Sequence, residues 1–140
     1  MDFKKFGDKY VIRLDKGEEI VETLKEFCTE QNIKLGWLKG IGAVGEATIG
    51  LFETSIKKYH SVELKGDFEI TTLSGNISTM NGETYLHLHV NLGDKDYKVW
   101  GGHFSRGIIS ATGEILIESI EGEVDRSFNE EVGLNLYRFD

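Results

Sequence analysis

The stretch Tyr85-Leu86-His87-Leu88-His89-Val90-Asn91-Leu92 constrains the fold more than any other part of this chain. Successive side chains of a β-strand point to opposite faces, so Leu86, Leu88, Val90 and Leu92 share one face and His87 and His89 share the other. An extended segment with one face in an apolar core sorts these residues cleanly, whereas a helix would scatter them. Extended patterns recur over Lys9–Leu14, where Tyr10, Ile12 and Leu14 alternate with polar residues. They recur again over Ala47–Phe52, Ser61–Leu64, Phe68–Ser74, Tyr97–Phe104, Glu114–Val124 and Leu134–Phe139. The chain has 17 glycines and no proline, so glycine, Asn and Asp must make the turns. One segment departs from the extended pattern. Asp15 offers an N-cap with Glu18 three residues on, and Ile20, Val21, Leu24, Phe27 and Cys28 follow at the spacing of an apolar helical stripe. A second short helix is expected near Asn129–Val132. Many strands with one main helix predict an α+β fold: an antiparallel-rich twisted sheet with one flanking helix. No linker, repeat or low-complexity tract divides the 140 residues, and a 39% hydrophobic content supports one core, so a single domain over 1–140 is expected.

Charge and cysteine content narrow the setting. Sixteen basic against 24 acidic residues give a net charge of -8, which works against contact with phosphate backbones or anionic membranes. A single cysteine, Cys28, cannot form an internal disulfide, and no apolar run is long enough for a membrane span or a signal peptide, so a cytoplasmic protein is expected. On that reading the Asn76-Ile77-Ser78 glycosylation sequon is a chance match.

Gly40-Ile41-Gly42-Ala43-Val44-Gly45 matches G-x-G-x-x-G, but a dinucleotide site needs a strand before the glycines and a helix opening at them. Here the helix lies upstream and a strand pattern follows. The glycines are better explained by backbone turning or close packing.

Three of the four histidines fall between positions 87 and 103. His87 and His89 stand about 7 Å apart on one strand face, close enough for both to reach one ion if the strand twists. The position of His103 depends on register. A turn at Gly93–Asp96 pairs Leu92 with Tyr97 and Val90 with Val99, which sets His103 opposite Leu86, on the apolar face. A bulge at Gly101-Gly102 would restore it to the face of His87. The three histidines are therefore a candidate metal site whose convergence requires that bulge. Three neutral imidazoles suit zinc or another divalent transition metal, and three protein ligands leave one position open. H-x-H on a strand also occurs in the cupins, but their following glutamate and proline-containing second motif have no counterpart here. His60 has no evident partner and reads as a surface residue.

These residues also carry a family resemblance. Trp37-Leu38-Lys39-Gly40-Ile41-Gly42-Ala43-Val44, running on to Ile49-Gly50-Leu51-Phe52, resembles the first signature of the PPC (plants-and-prokaryotes conserved) domain. Gly66-Asp67-Phe68-Glu69-Ile70 with Leu73-Ser74-Gly75 resembles its central stretch, with Asp67 in place of an arginine. His87-Leu88-His89-Val90 and Val99-Trp100-Gly101-Gly102-His103 resemble its paired histidine motifs. Glu114-Ile115 and the tail from Asp125-Arg126-Ser127-Phe128 to Gly133-Leu134 fit as well. The resemblance implies an antiparallel-rich sheet with a flanking helix, a homotrimer, and metal, usually zinc, on His87, His89 and His103. Plant members follow an AT-hook, and stand-alone prokaryotic members are described as predicted DNA-binding proteins. This chain has no AT-hook and no basic arm, and Lys57-Lys58 is its one notable basic pair in the middle of the chain.

Three functions follow as expectations. The first is a trimeric binding or regulatory module that holds a metal or a small-molecule ligand. The second is a metal-dependent enzyme acting on a small molecule, with Glu53, Glu69 and Glu114 as candidate bases. The third is direct DNA binding, which the acidic charge disfavours.

Overall fold

The structure, a computed structural model, describes residues 1–139; Asp140, the last residue of the expected domain, lies outside the described residues. The elements run β1 (Asp2–Phe6), β2 (Lys9–Asp15), α1 (Ile20–Glu30), β3 (Gly36–Glu53), β4 (Lys58–Met80), β5 (Glu83–Gly93), β6 (Val99–Ser119), β7 (Asp125–Asn129) and β8 (Leu134–Arg138). The expected fold class holds: one helix flanks a sheet that is antiparallel at every pairing except a single parallel bridge, Thr79 to Asp125. Among the described residues no helix is long and apolar enough to cross a membrane.

Several expected segments are parts of longer strands. Gly40–Gly45 and Ala47–Phe52 lie within β3, Ser61–Leu64 and Phe68–Ser74 within β4, and Tyr97–Phe104 merges with Glu114–Val124 in β6, which ends at Ser119. Register shifts between Gly40 and Gly42 and between Val44 and Glu46 keep β3 extended while it bends. Gly40 is required because a Cβ there would strike the Ile115 side chain, and Gly42 because its φ is +154. The G-x-G-x-x-G run is therefore a bent strand packed closely on β6, with no helix N-terminus to hold a phosphate.

Because the long strands bend, their halves join different neighbours. The C-terminal half of β4 pairs with β3 and β5, and the start of β6 pairs with β5 and β3. Strands β3, β4, β5 and β6 thus close a ring, and β1, β2, β7 and β8 extend from it.

The core is a single cluster. Leu88, Val90 and Leu92 of β5 are buried with Ile20, Leu24, Phe27 and Cys28 of α1, and each large side chain of this kind contributes about 1.5–3 kcal/mol. Phe27 adds edge contacts to Phe3 and Tyr10 at ring separations of 4.9 and 5.4 Å. The helix starts later than expected. Glu19 is its N-cap, accepting from the backbone N–H of Glu22, and its other oxygen accepts from Gly107 N–H at 2.8 Å. Asp15 and Glu18 do interact, Asp15 N–H donating to Glu18 Oε2 at 2.7 Å, but they form the turn before the helix. The expected helix near Asn129–Val132 is the turn between β7 and β8, closed by Val132 N–H on Asn129 Oδ1 and by Gly133 N–H on the Asn129 carbonyl. No Pro marks that turn, and β1, exposed at every residue, carries no apolar alternation.

Candidate metal centre

The register of β5 against β6 is set by the turn between them. Asp94 Oδ1 accepts from the backbone N–H groups of Asp96 and Lys98 at 2.9 and 3.0 Å, while Oδ2 accepts from Trp100 Nε1 at 3.0 Å. Tyr97 takes a positive φ of 61, and Asp94 N–H donates to the Lys98 carbonyl. Five residues therefore turn the chain, and pairing begins at Gly93 with Val99. From there the ladder is unbroken: Leu92 faces Trp100, Asn91 faces Gly101, Val90 faces Gly102 and His89 faces His103.

The expected bulge at Gly101-Gly102 is absent. The expected pairing was displaced by three residues, and an odd displacement exchanges the faces of a strand. The longer turn alone brings His103 onto the face of His87 and His89. The glycines have a different use, since a Cβ at Gly102 would lie 2.5 Å from the Gly50 carbonyl oxygen and one at Gly101 2.5 Å from Asn91 Oδ1. An irregularity does occur in β6, just beyond His103, opposite Thr48 and Ile49.

The ring centroids of His87, His89 and His103 are 5.1 to 5.8 Å apart. One nitrogen from each lies within 4.8 Å of the others. A tetrahedral ion bound at about 2.0–2.1 Å needs nitrogens roughly 3.4 Å apart, a closure within reach of imidazole rotation. Among the described residues none of the three rings has a hydrogen-bond partner, so their nitrogens are uncommitted. Burial, the Arg126 charge and the other two histidines push His87 down to about 4, and burial followed by His89 also lowers His103. Both are neutral at pH 7, the form that binds metal. The donor set and its spacing fit a divalent transition ion.

The histidines line a cavity of about 850 Å³. One wall is the β5–β6 face with Gly50 of β3. The other is the β7–β8 hairpin, which supplies Arg126, Leu134, Asn135, Leu136 and Tyr137. Arg126 is 6% exposed and holds the hairpin down. Its Nε donates to Ser78 Oγ at 2.8 Å, Nη2 to Asn76 Oδ1 at 2.8 Å and Nη1 to the Asn135 carbonyl at 2.9 Å. Its guanidinium also lies over the rings of Tyr85 and Tyr137, 4.8 and 4.2 Å from their centroids. Asn76 is the ladder partner of His87, so Arg126 stands beside the histidine row.

The Plants and Prokaryotes Conserved (PCC) domain matches residues 1–121. The chain belongs to this family. A candidate DNA-binding protein from Bacteroides thetaiotaomicron has the same fold, with a TM-score of 0.96 and 39% identity across 99% of this chain and 96% of its own. A metal-containing protein from Archaeoglobus fulgidus superposes with a TM-score of 0.90 and 33% identity over 99% of both chains. The bifunctional protein GlmU of Synechococcus sp. is 30% identical over 120 residues, 84% of this chain, which spans 18% of the length of that relative.

Within this PCC chain the remaining candidate residues are dispersed. Glu53, Glu69 and Glu114 do not line the histidine cavity. Glu53 Oε2 accepts from His60 Nε2 at 2.8 Å, so His60 is exposed as expected but does have a partner. Glu114 borders a separate depression with Lys39 and Ile41. Sequence reasoning missed Asn76 and the part played by Arg126 in the PCC cavity. The only signal was the family-like tail segment Asp125–Phe128, whose arginine carries no local sign of what it touches.

Proposed function

We propose that this protein is a metal-binding module, holding one divalent transition ion, zinc foremost, on His87, His89 and His103, and that it works as a homotrimer that binds or regulates through the adjoining cavity. The observation that carries the reading is the convergence of three uncommitted imidazoles within 4.8 Å, two of them held neutral. The likeness to the metal-containing Archaeoglobus protein over the full chain supports it. Exposed Leu51, Val62, Val99 and Trp100, from 44% to 63% accessible on strands of one ring, support burial against further copies. Net charge -8 disfavours direct DNA binding despite the Bacteroides relative.

Elemental analysis of the purified protein is expected to find one ion per chain, and His103→Ala is expected to lose it with an affinity drop beyond the 10–100-fold of a lost outer partner. Sedimentation is expected to show a trimer. Metal-free wild-type protein, or full metal retention in His103→Ala, would overturn the metal assignment.

The cavity favours one second reading, a metal-dependent enzyme acting on a small molecule at the open coordination position. A bound zinc would supply Lewis acidity and a more acidic water. The chain would bind and orient the substrate through Arg126 and Asn76. No carboxylate lines the cavity among the described residues, so a base of the Glu53, Glu69 or Glu114 kind is not at hand.

A further inference from the structure

Arg126 carries a full charge at 6% exposure, and among the described residues its partners are all neutral: a serine hydroxyl, an asparagine amide oxygen, a backbone carbonyl and two tyrosine rings. Buried charges are ordinarily matched by an opposite one. The five N–H donors of a guanidinium exceed the three acceptors supplied here, leaving one donor on each terminal nitrogen among the described residues. Among the described residues the cavity wall contains no Asp, Glu or Lys, and its three histidines contribute no negative charge. Cation–π contact with Tyr85 and Tyr137 offsets part of the cost of burying this charge without neutralising it. Metal binding at the histidines would add further positive charge to the same space.

We infer that the cavity receives a small organic carboxylate, its carboxylate on Arg126 and a second oxygen, on the carbon next to the carboxylate, on the metal. This deepens the metal-site reading and rests on it for the second oxygen. Two spare N–H groups on one guanidinium suit a monoanion, since carboxylate geometry matches that fork. A phosphate dianion would want additional lysines or a helix N-terminus, and the cavity presents neither. Leu134, Leu136 and Phe52 on the wall give the ligand an apolar body to contact. The ligand class is therefore a 2-hydroxy or 2-oxo acid with an aliphatic side chain.

The probe is 2-hydroxyisocaproate, titrated calorimetrically into metal-loaded and metal-stripped protein, beside its neutral amide. The acid is expected to bind the loaded protein at least tenfold more tightly than the amide, and Arg126→Lys to lose most of that preference. Stripping the metal is expected to weaken the acid while leaving its advantage over the amide. Equal binding of acid and amide to wild-type protein would overturn the inference without needing any variant to fold. An Arg126→Lys protein, shown folded by circular dichroism, that keeps the full preference would overturn it too. If elemental analysis finds no metal, the metal-site reading fails and the second oxygen has no ion to meet. The acid–amide comparison on the stripped protein then still decides whether Arg126 selects a carboxylate.

Discussion

The two walls of the histidine cavity are built in different ways. On the β5–β6 wall backbone ladders hold the histidines: His87 pairs with Asn76, His89 lies between Ser74 and His103, and His103 between His89 and Gly50. The opposite face of β5 is locked into the core by Leu88, Val90 and Leu92. The β7–β8 wall meets the sheet through one parallel bridge, the side chain of Arg126 and a few further side-chain hydrogen bonds, from Thr79 to Asp125, Asn135 to Tyr85 and Lys57 to the Glu130 carbonyl. Backbone pairing therefore sets one wall and a single buried side chain sets much of the other. A cavity made this way can keep its metal ligands rigid while the ligand-facing wall adjusts, since regions with few buried contacts open locally at lower free energy.

The comparison breaks most visibly at Leu88. Leu88→Ala, on the core face of the histidine strand, is expected to cost about 2–5 kcal/mol in global stability by chemical denaturation. His89→Ala, one residue away on the other face, is expected to leave metal-free stability nearly unchanged. Equal losses would mean that the two faces of β5 are not separate in energy.

Arg126→Met tests the other wall. It leaves Asn76 Oδ1 and the Asn135 carbonyl without the arginine donor, leaves Ser78 Oγ only its bond to the Tyr85 carbonyl, and removes both ring contacts, at an expected cost of about 1–3 kcal/mol. Hydrogen exchange is expected to speed up in β7 and β8 while β5 and β6 stay protected. Uniform deprotection would show that the walls unfold together.

A smaller effect is expected from pH. Burial first, then Arg126 and the neighbouring histidines, hold His87 near 4 in the folded chain, below the ordinary imidazole value of 6.5. A lowered folded value means that the unfolded chain binds the proton first. Stability of the metal-free protein is then fully present above about 6.5 and is lost as pH falls toward 4. His87→Gln is expected to flatten that slope, and so is Arg126→Met to a lesser degree; an unchanged slope in His87→Gln would refute the coupling. The smallest effect belongs to the turn. Asp94→Ala removes three hydrogen bonds that fix the five-residue connection and is expected to lower the melting temperature by about 3 °C. If it also weakens metal binding, the turn contributes to holding the register.

The fold class, the helix and the shared face of His87 and His89 were legible because each depends on local spacing. Alternation within a strand is a covalent property of the chain, and it needs no knowledge of neighbours. The Asp15–Glu18 pair shows the limit at a helix end, where Glu19 caps α1 because its side chain also reaches Gly107, 88 residues away. His103 does stand on the face of His87 and His89, but an unbroken ladder places it there and not a bulge at Gly101-Gly102. Whether residue 103 faces His89 depends on the parity of the pairing, and the hydrogen bonds of Asp94 decide that parity.

The residues themselves determined an α+β fold with many glycine-bounded strands, one amphipathic helix and an apolar strand face backed by two histidines. Tertiary structure decided the rest. It merged short strand signals into three long bent strands, closed β3 to β6 into a ring, and folded the C-terminal hairpin over the histidines. It also carried Arg126 to Asn76 and Ser78, about fifty positions earlier in the chain. Periodicity describes which way a side chain points from its own backbone; what it meets there is set by long-range pairing, which no local pattern encodes.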